Sequence, residues 1–308
     1  MRIQRVSAED YRQVINAGIV YNGTAFSQLN SHKVEDVHYL LFSDSKVRLG
    51  LVLGQRGDTL CSPFSAPFGG FSSNTIQKIS HYDEAVQLLR DYARSEHRDI
   101  KVVLPPLVYD DNGISRQVSS FTRYAQQEYV DTSMYMQFDG IVDYNAMISP
   151  KARQKFRRAM EQEWEFTQIW QDDIAGIGDV YEVICRNREE KGYRLNMTLE
   201  DVINTSKVVH ADFFLLSHGG ENVASALVYK VTADVYQLIY WGNIGEYNAL
   251  RPMNVLAFKL YEYYKSRGIR ILDIGPSSND GVPDYGLTDF KESVGCRMSL
   301  KYHFLLKS

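Results

Sequence analysis

The chain has 308 residues, 44% hydrophobic and 23% charged, with a formal net charge of -4. That length exceeds what one core usually supports, so two domains are expected, and the acidic balance argues against bulk binding to a nucleic-acid backbone. Three cysteines (Cys61, Cys185 and Cys296) and seven histidines show no metal-ligand spacing, and an odd cysteine count is a poor disulfide framework.

Residues 1–5 are followed by no apolar run, so no signal peptide is expected. No stretch approaches the roughly 18 apolar residues of a membrane span. The expectation is a soluble, cytoplasmic protein with reduced thiols, no bound metal and no membrane span.

In chain order, residues 8–17 and 25–32 read as helices. Val37–Ser43, 47–55 and 59–61 then read as a strand meander. Residues 82–96 form an amphipathic helix, 100–104 a buried strand and 129–138 a closing strand. A seam follows near 140–150, giving domains 1–145 and 146–308. In the second half, 164–170 alternates as a strand. Residues 179–191 carry helical spacing and stop at Gly192. Thr198 caps another helix, and 211–217 and 223–230 form a hairpin. A third strand covers 234–241, and a helix with proline in its first turn covers 252–267. The run 269–274 is a buried strand, 287–293 a short helix and Arg297–Leu306 a final strand. Each half places a meander before a helix and a buried strand, which predicts two similar α/β layers.

Several segments stand out chemically. Ser62 to Phe71 is apolar, yet its prolines and glycines exclude a regular element. It reads as the lining of a substrate cleft, with Phe68 at its centre, or as packing. Ser149-Pro150 starts a helix whose first turns hold Lys151, Arg153, Lys155, Arg157 and Arg158, with no acid before Glu161. Cations there oppose the helix dipole and repel one another. A phosphate-bearing substrate held by Lys151, Arg153 and Arg157 would offset this; the alternative is a solvated connecting helix. The buried strand ends at Asp273 and Gly275. Asp273 either handles an attacking amine or caps the loop at Ser277 and Ser278. Lys291, beside Phe290, is either a surface lysine or a cation positioned by an aromatic face. Tyr240 and Tyr285 are candidate proton shuttles to a leaving group.

The order of elements, with Arg186 to Tyr193, Asn248 to Asn254, Asp273-Ile274-Gly275 and Leu287 to Gly295, resembles the Fem-type peptidyltransferases within the GNAT acyltransferase superfamily. This resemblance implies an α/β (α+β) fold of two tandem GNAT-like domains with mixed central sheets, the C-terminal one carrying the active site. It implies N-acyl transfer of an acyl or aminoacyl group to an acceptor amine, which is small or nucleotide-linked, as in peptidoglycan precursors. The donor is an aminoacyl-tRNA or an acyl-CoA, used as co-substrate with no bound cofactor. The resemblance further implies that Lys291 steadies the oxyanion or the donor. A bulge at Gly242 would free a backbone N–H for the acyl carbonyl. The segment Ala249 to Asn254 lacks the glycine-rich phosphate loop of coenzyme-A-dependent members, as Fem-type members do. The chain has no room for their helical-hairpin insertion. Two alternatives stay open: an acyl-CoA-dependent N-acetyltransferase, with its anion site near Pro252, and a non-catalytic binding module of this fold.

Overall fold

Alternating apolar strands and one-sided helices build two units, which the computed structural model describes over residues 1–140 and 143–308. One unit holds Met1–Ser133, Ser278–Pro283 and Ser299–Ser308; the other holds Met134–Ser277 and Asp284–Met298. Sequence reading puts the seam at 140–150, of which 141 and 142 lie outside the described residues. The units divide between Ser133 and Met134.

The first unit contains β1 (Arg2–Val6), α1 (Ala8–Val14), α2 (Thr24–Leu29), β2 (Val37–Ser43), β3 (Val47–Arg56), β4 (Thr59–Ser62), α3 (Ile79–Glu96), β5 (Asp99–Val103) and α4 (Asp111–Tyr124). The strand β6 (Gln126–Gln137) carries the chain across the division. Strands β2 and β3 are buried along most of their length, as expected where both faces of a sheet are covered. The helix α3 buries Tyr82, Ala85, Val86, Leu89 and Ala93, the three-to-four-residue period of one face. Strands β1 to β4 pair antiparallel in sequence, and β5 pairs parallel to β4.

Two elements of this unit escape the sequence reading. The strand β1 has only two half-buried residues and shows little alternation. The helix α4 begins with Asp111, Asn112 and Gly113, which read as a turn. It forms because the Asp110 side chain accepts the Gly113 N–H at 3.0 Å and an apolar face buries Ile114 and Phe121.

The second unit contains α5 (Tyr144–Met147), α6 (Pro150–Ala159), β7 (Glu165–Ile169), α7 (Ile174–Lys191), α8 (Leu199–Ser206), β8 (Ala211–His218), β9 (Glu221–Lys230), β10 (Val235–Asn243), α9 (Pro252–Ser266) and β11 (Ile271–Pro276). It repeats the scheme: β7 to β10 are antiparallel neighbours, and β11 pairs parallel to β10. A crossover helix, α9, joins the parallel pair, as α3 joins β4 to β5. The core gathers Phe214, Leu216, Val228, Leu256, Leu260, Tyr264 and Leu272 between sheet and helix. A short hairpin, β12 (Ser278–Asn279) with β13 (Val282–Pro283), precedes α10 (Tyr285–Ser293) and β14 (Arg297–Leu306). Sequence reading assigns β14 to the second domain, yet it pairs antiparallel with β5, and Ser299–Ser308 belong to the first unit. Among the described residues, no helix is long and apolar enough to cross a membrane.

The segment from Ser62 to Phe71 corrects the reading of Phe68 as a cleft residue. Phe68 is 1% exposed and packs its ring on Tyr21 at 5.4 Å and Tyr109 at 4.7 Å. The buried loop N–H groups also find partners: Gly70 donates to Ser62 Oγ and Phe71 to Gln117 Oε1. A loop with satisfied backbone and a buried aromatic stabilises the core of its unit and leaves Phe68 no surface for a ligand. Phe68→Ala should therefore cost about 3–5 kcal/mol. In thermal unfolding this is a drop in Tm on the order of 10 °C; a negligible shift would contradict the packing role.

Candidate functional site

The site begins where two parallel strands part. Strands β10 and β11 pair at Val235 with Ile271, Tyr236 with Leu272 and Gln237 with Asp273, and no further. On its other side, β10 slips register against β9 between Leu238 and Tyr240, so Ile239 is the extra residue. A one-residue bulge turns a strand and leaves backbone groups outside the ladder. The gap that opens is lined by Leu238, Ile239 and Trp241 on one side and Ile274, Gly275 and Pro276 on the other. The helix α7 contributes Asn187, Arg188 and Lys191, and α10 contributes Leu287, Phe290 and Lys291. The cleft holds about 570 Å³, within the usual range for a small-molecule site.

Lys291 sits at its base, only 3% exposed. Its ammonium donates to the carbonyls of Ile274 at 3.1 Å, Gly275 at 3.0 Å and Pro276 at 2.8 Å. An ammonium has three N–H groups, so this cage occupies all of them. No carboxylate among the described residues lies within ion-pair distance of it. Burial pulls the ammonium down to about 8; Cys296, Asp273 and Asp284 oppose that shift, and Arg188 adds to it. The adjacent Cys296 thiol is pushed up to about 12 by its own burial.

The carbonyls converge because the chain turns sharply. Gly275 has φ +77°, a region that favours glycine. Its N–H donates to Asp273 Oδ1 at 2.8 Å, while Asp273 Oδ2 accepts from Gln237 Nε2 at 2.8 Å. Asp273 thus fastens the last paired step of β10 and β11 and shapes the arch above Lys291. It is 1% exposed and does not line the cleft, which corrects its reading as the group that meets the amine.

Arg188 supplies the open charge of the cleft. Its guanidinium lies 5.4 Å from the Tyr240 ring centre and 5.8 Å from that of Tyr193. Its Nε is buried and makes no hydrogen bond, and no acid among the described residues pairs with it. The sequence carries a signal for this. Arg188 follows Val180, Ile184 and Asn187 along the buried face of α7, so it is a cation on an apolar stripe. Tyr240 does not line the cleft and backs this guanidinium; burial raises its hydroxyl.

No family model matches the sequence, and no curated protein matches it. Solved structures match over the whole length. FemX covers 97% of its own chain and 98% of this one at 14% identity and a TM-score of 0.69. L-PGS from Bacillus licheniformis covers 90% and 97% at 11% identity and a TM-score of 0.61. A tandem GNAT protein from the clavulanic acid biosynthesis pathway covers 99% and 100% at 11% identity and a TM-score of 0.52. The chain has the tandem GNAT fold.

Within that fold, the expected site residues separate into three groups. Lys291 and Phe290 line one cleft together, but Phe290 faces Trp241, with ring centres 5.9 Å apart, and Lys291 is held by carbonyls instead of an aromatic face. Consecutive helical residues point in different directions, which is why the two part company. Gly242 is the second group. The bulge falls at Ile239, and Gly242 stays paired with Ser225. Its lack of a side chain serves packing, since a Cβ there would meet Asn187 at 2.4 Å. Gly242 lines a smaller neighbouring cavity, of about 270 Å³, at the start of α9. The third group lies outside the cleft. Tyr285 is 77% exposed, and Lys151, Arg153 and Arg157 are exposed along α6. Among the described residues, no group of three metal-binding side chains occurs.

Asn187 is pinned by its own bond to the Asn243 carbonyl at 2.7 Å, so it cannot step aside. Gly242→Ala should cost roughly 1–3 kcal/mol through overpacking, read as a lower denaturation midpoint. A stability within error of wild type would contradict the close approach. Lys291 adds a pH signature. The folded chain gives up this proton near pH 8, and the unfolded chain keeps it to about pH 10.4. The unfolded state therefore binds more protons in that window, and stability rises with pH through it. The Tm of wild type minus that of Lys291→Met should grow between pH 8 and 10, and a constant difference would exclude the depressed ammonium.

Proposed function

We propose that the chain is an N-acyltransferase that moves an acyl or aminoacyl group from an activated ester or thioester to an acceptor amine bearing an anionic group. The observation that carries this reading is the parting of β10 and β11 beside a one-residue bulge, which puts the Ile239 segment on the wall of a cleft that also holds a lysine. A backbone N–H outside a ladder is a fixed dipole, and such dipoles stabilise an oxyanion without reorganising during reaction. The Ile239 segment of β10 takes that role here, in place of Gly242.

The reaction asks little else of side chains. The amine lone pair forms a bond to the acyl carbon, the carbonyl electrons move to oxygen, and their return expels the alcohol or thiol of the donor. Holding the partners at attack distance provides most of the acceleration in such chemistry. Arg188 anchors the acceptor through its phosphate or carboxylate, because an unpaired guanidinium between aromatic rings is a ready anion receptor. The apolar wall of Trp241, Phe290 and Leu287 accommodates the donor. Both aminoacyl-tRNA and acyl-CoA fit the reading as donors. The α9 start offers little to a pyrophosphate, since Pro252 at the first helical position lacks an N–H and Arg251 is held at φ +59°. This favours the aminoacyl donor.

The test is to incubate the protein with each donor and a panel of amines, and to follow products by mass spectrometry. A product with one donor is expected. Arg188→Ala should then raise KM for the anionic acceptor about 10- to 100-fold, the worth of a charge-assisted hydrogen bond, with kcat little changed. An unchanged KM would remove Arg188 from the site, and no transfer from either donor class would overturn the acyltransferase reading.

A further inference from the structure

Every acyl transfer to an amine releases a proton, and the cleft must contain something to receive it. Asp273 is buried and tied to Gln237 and Gly275. Asp284 lines the exposed rim of the cleft, where its Oδ1 caps α10 by accepting the Leu287 N–H at 2.9 Å. The Cys296 thiol is 7% exposed and does not line the cleft. The Arg188 guanidinium offers only donors. Lys291 remains, the buried amine that lines the cleft.

We propose, resting on the acyl-transfer reading, that Lys291 is the proton acceptor: its neutral amine takes the proton of the attacking amine, and the three-carbonyl cage then holds the ammonium. This differs from a lysine that donates a hydrogen bond to the oxyanion. With all three N–H groups on Ile274, Gly275 and Pro276, the protonated side chain has none left for another acceptor. The neutral amine has two N–H groups and a lone pair. It satisfies two carbonyls and releases the third, and the Pro276 carbonyl is the one at the less buried edge. The lone pair then faces the cleft.

The step balances. The acceptor nitrogen bonds to the acyl carbon and becomes positively charged. Its N–H bond breaks toward the Lys291 lone pair, and the new ammonium re-enters the cage. The proton next passes to the departing alkoxide or thiolate, or to water, which restores the neutral amine. Burial outweighs the pull of the nearby Asp273 and Asp284 and keeps the two protonation states close in energy, a lysine poised at about 8. A base works best when its affinity for protons lies near the operating pH.

The test has two arms. In the first, the pH profile of kcat/KM of the wild-type protein should rise to a plateau with a midpoint near 8, the free-enzyme value of the base. Lys291→Arg, which keeps the charge but cannot yield a proton, should lose about 10²- to 10⁴-fold in kcat while binding the acceptor as wild type does in calorimetry. In the second, performed on wild type so that no variant need fold, an isotope-labelled lysine signal should titrate near the same pH. A flat profile in an enzyme that does transfer acyl groups, or Lys291→Arg within tenfold of wild type, overturns the base role alone. A Lys291 signal titrating at the ordinary lysine value of about 10.4 overturns it too. A wild type that transfers no acyl group sinks the acyltransferase reading and this step with it.

Discussion

One ammonium under three backbone carbonyls organises the C-terminal unit's site. Placing a charge in a buried position costs several kcal/mol, and each hydrogen bond to a charged group returns about 1.5–3 kcal/mol. Three bonds from Lys291 to Ile274, Gly275 and Pro276 offset part of the desolvation, but only if the chain bends so that three successive carbonyls face one point. That bend needs a residue able to hold positive φ, which Gly275 is, and an acceptor for its N–H, which Asp273 provides. The carboxylate, the glycine and the lysine are therefore one device, and removing any of them leaves buried polar groups without partners.

The same device explains why a cleft exists. Parallel strands tend to stay paired, yet β11 leaves β10 after Asp273 because its next carbonyls turn to the lysine. The bulge at Ile239 bends β10 as well. Two strands that separate at their C-terminal ends form the kind of crevice in which α/β sheets commonly hold ligands. Arg188 reaches this crevice from α7, and Asn187, one residue earlier, locks that helix to β10 through the Asn243 carbonyl. Regular elements carry both Arg188 and the Ile239 segment, so neither depends on a free loop for its position.

Much of this fold can be read from the residues. The meander of β2 to β4, the amphipathic α3, the proline-started α9 and the near-continuous apolar run of β11 follow from period, caps and length. The helix α4 stays hidden because a side-chain cap at Asp110, not propensity, starts it. The placement of β14 stays hidden for another reason: its alternation would suit an edge in either unit, and only the register with β5 decides it. In the site, Lys291 is found from its flanking residues, but its partners are carbonyls, which leave no trace in a sequence. Asp273 is likewise found, but its two readings, amine handling and loop capping, stay open, because a strand-ending carboxylate looks the same whether it faces a cleft or its own backbone. For Phe68 the cleft and packing readings both stand in the sequence, since an apolar loop with prolines and glycines reads alike on a rim and in a core, and its burial decides for packing.

In this reading, chemistry occurs where β10 and β11 part. A crystal structure with an amine acceptor and a donor analogue that cannot release its acyl group tests this most directly. The account predicts the nitrogen within about 3–3.5 Å of the acyl carbon, the acyl oxygen against the backbone near Ile239 and the Lys291 amine facing the nitrogen. Both ligands bound away from this cleft, with the arch of Ile274 to Pro276 untouched, would contradict it.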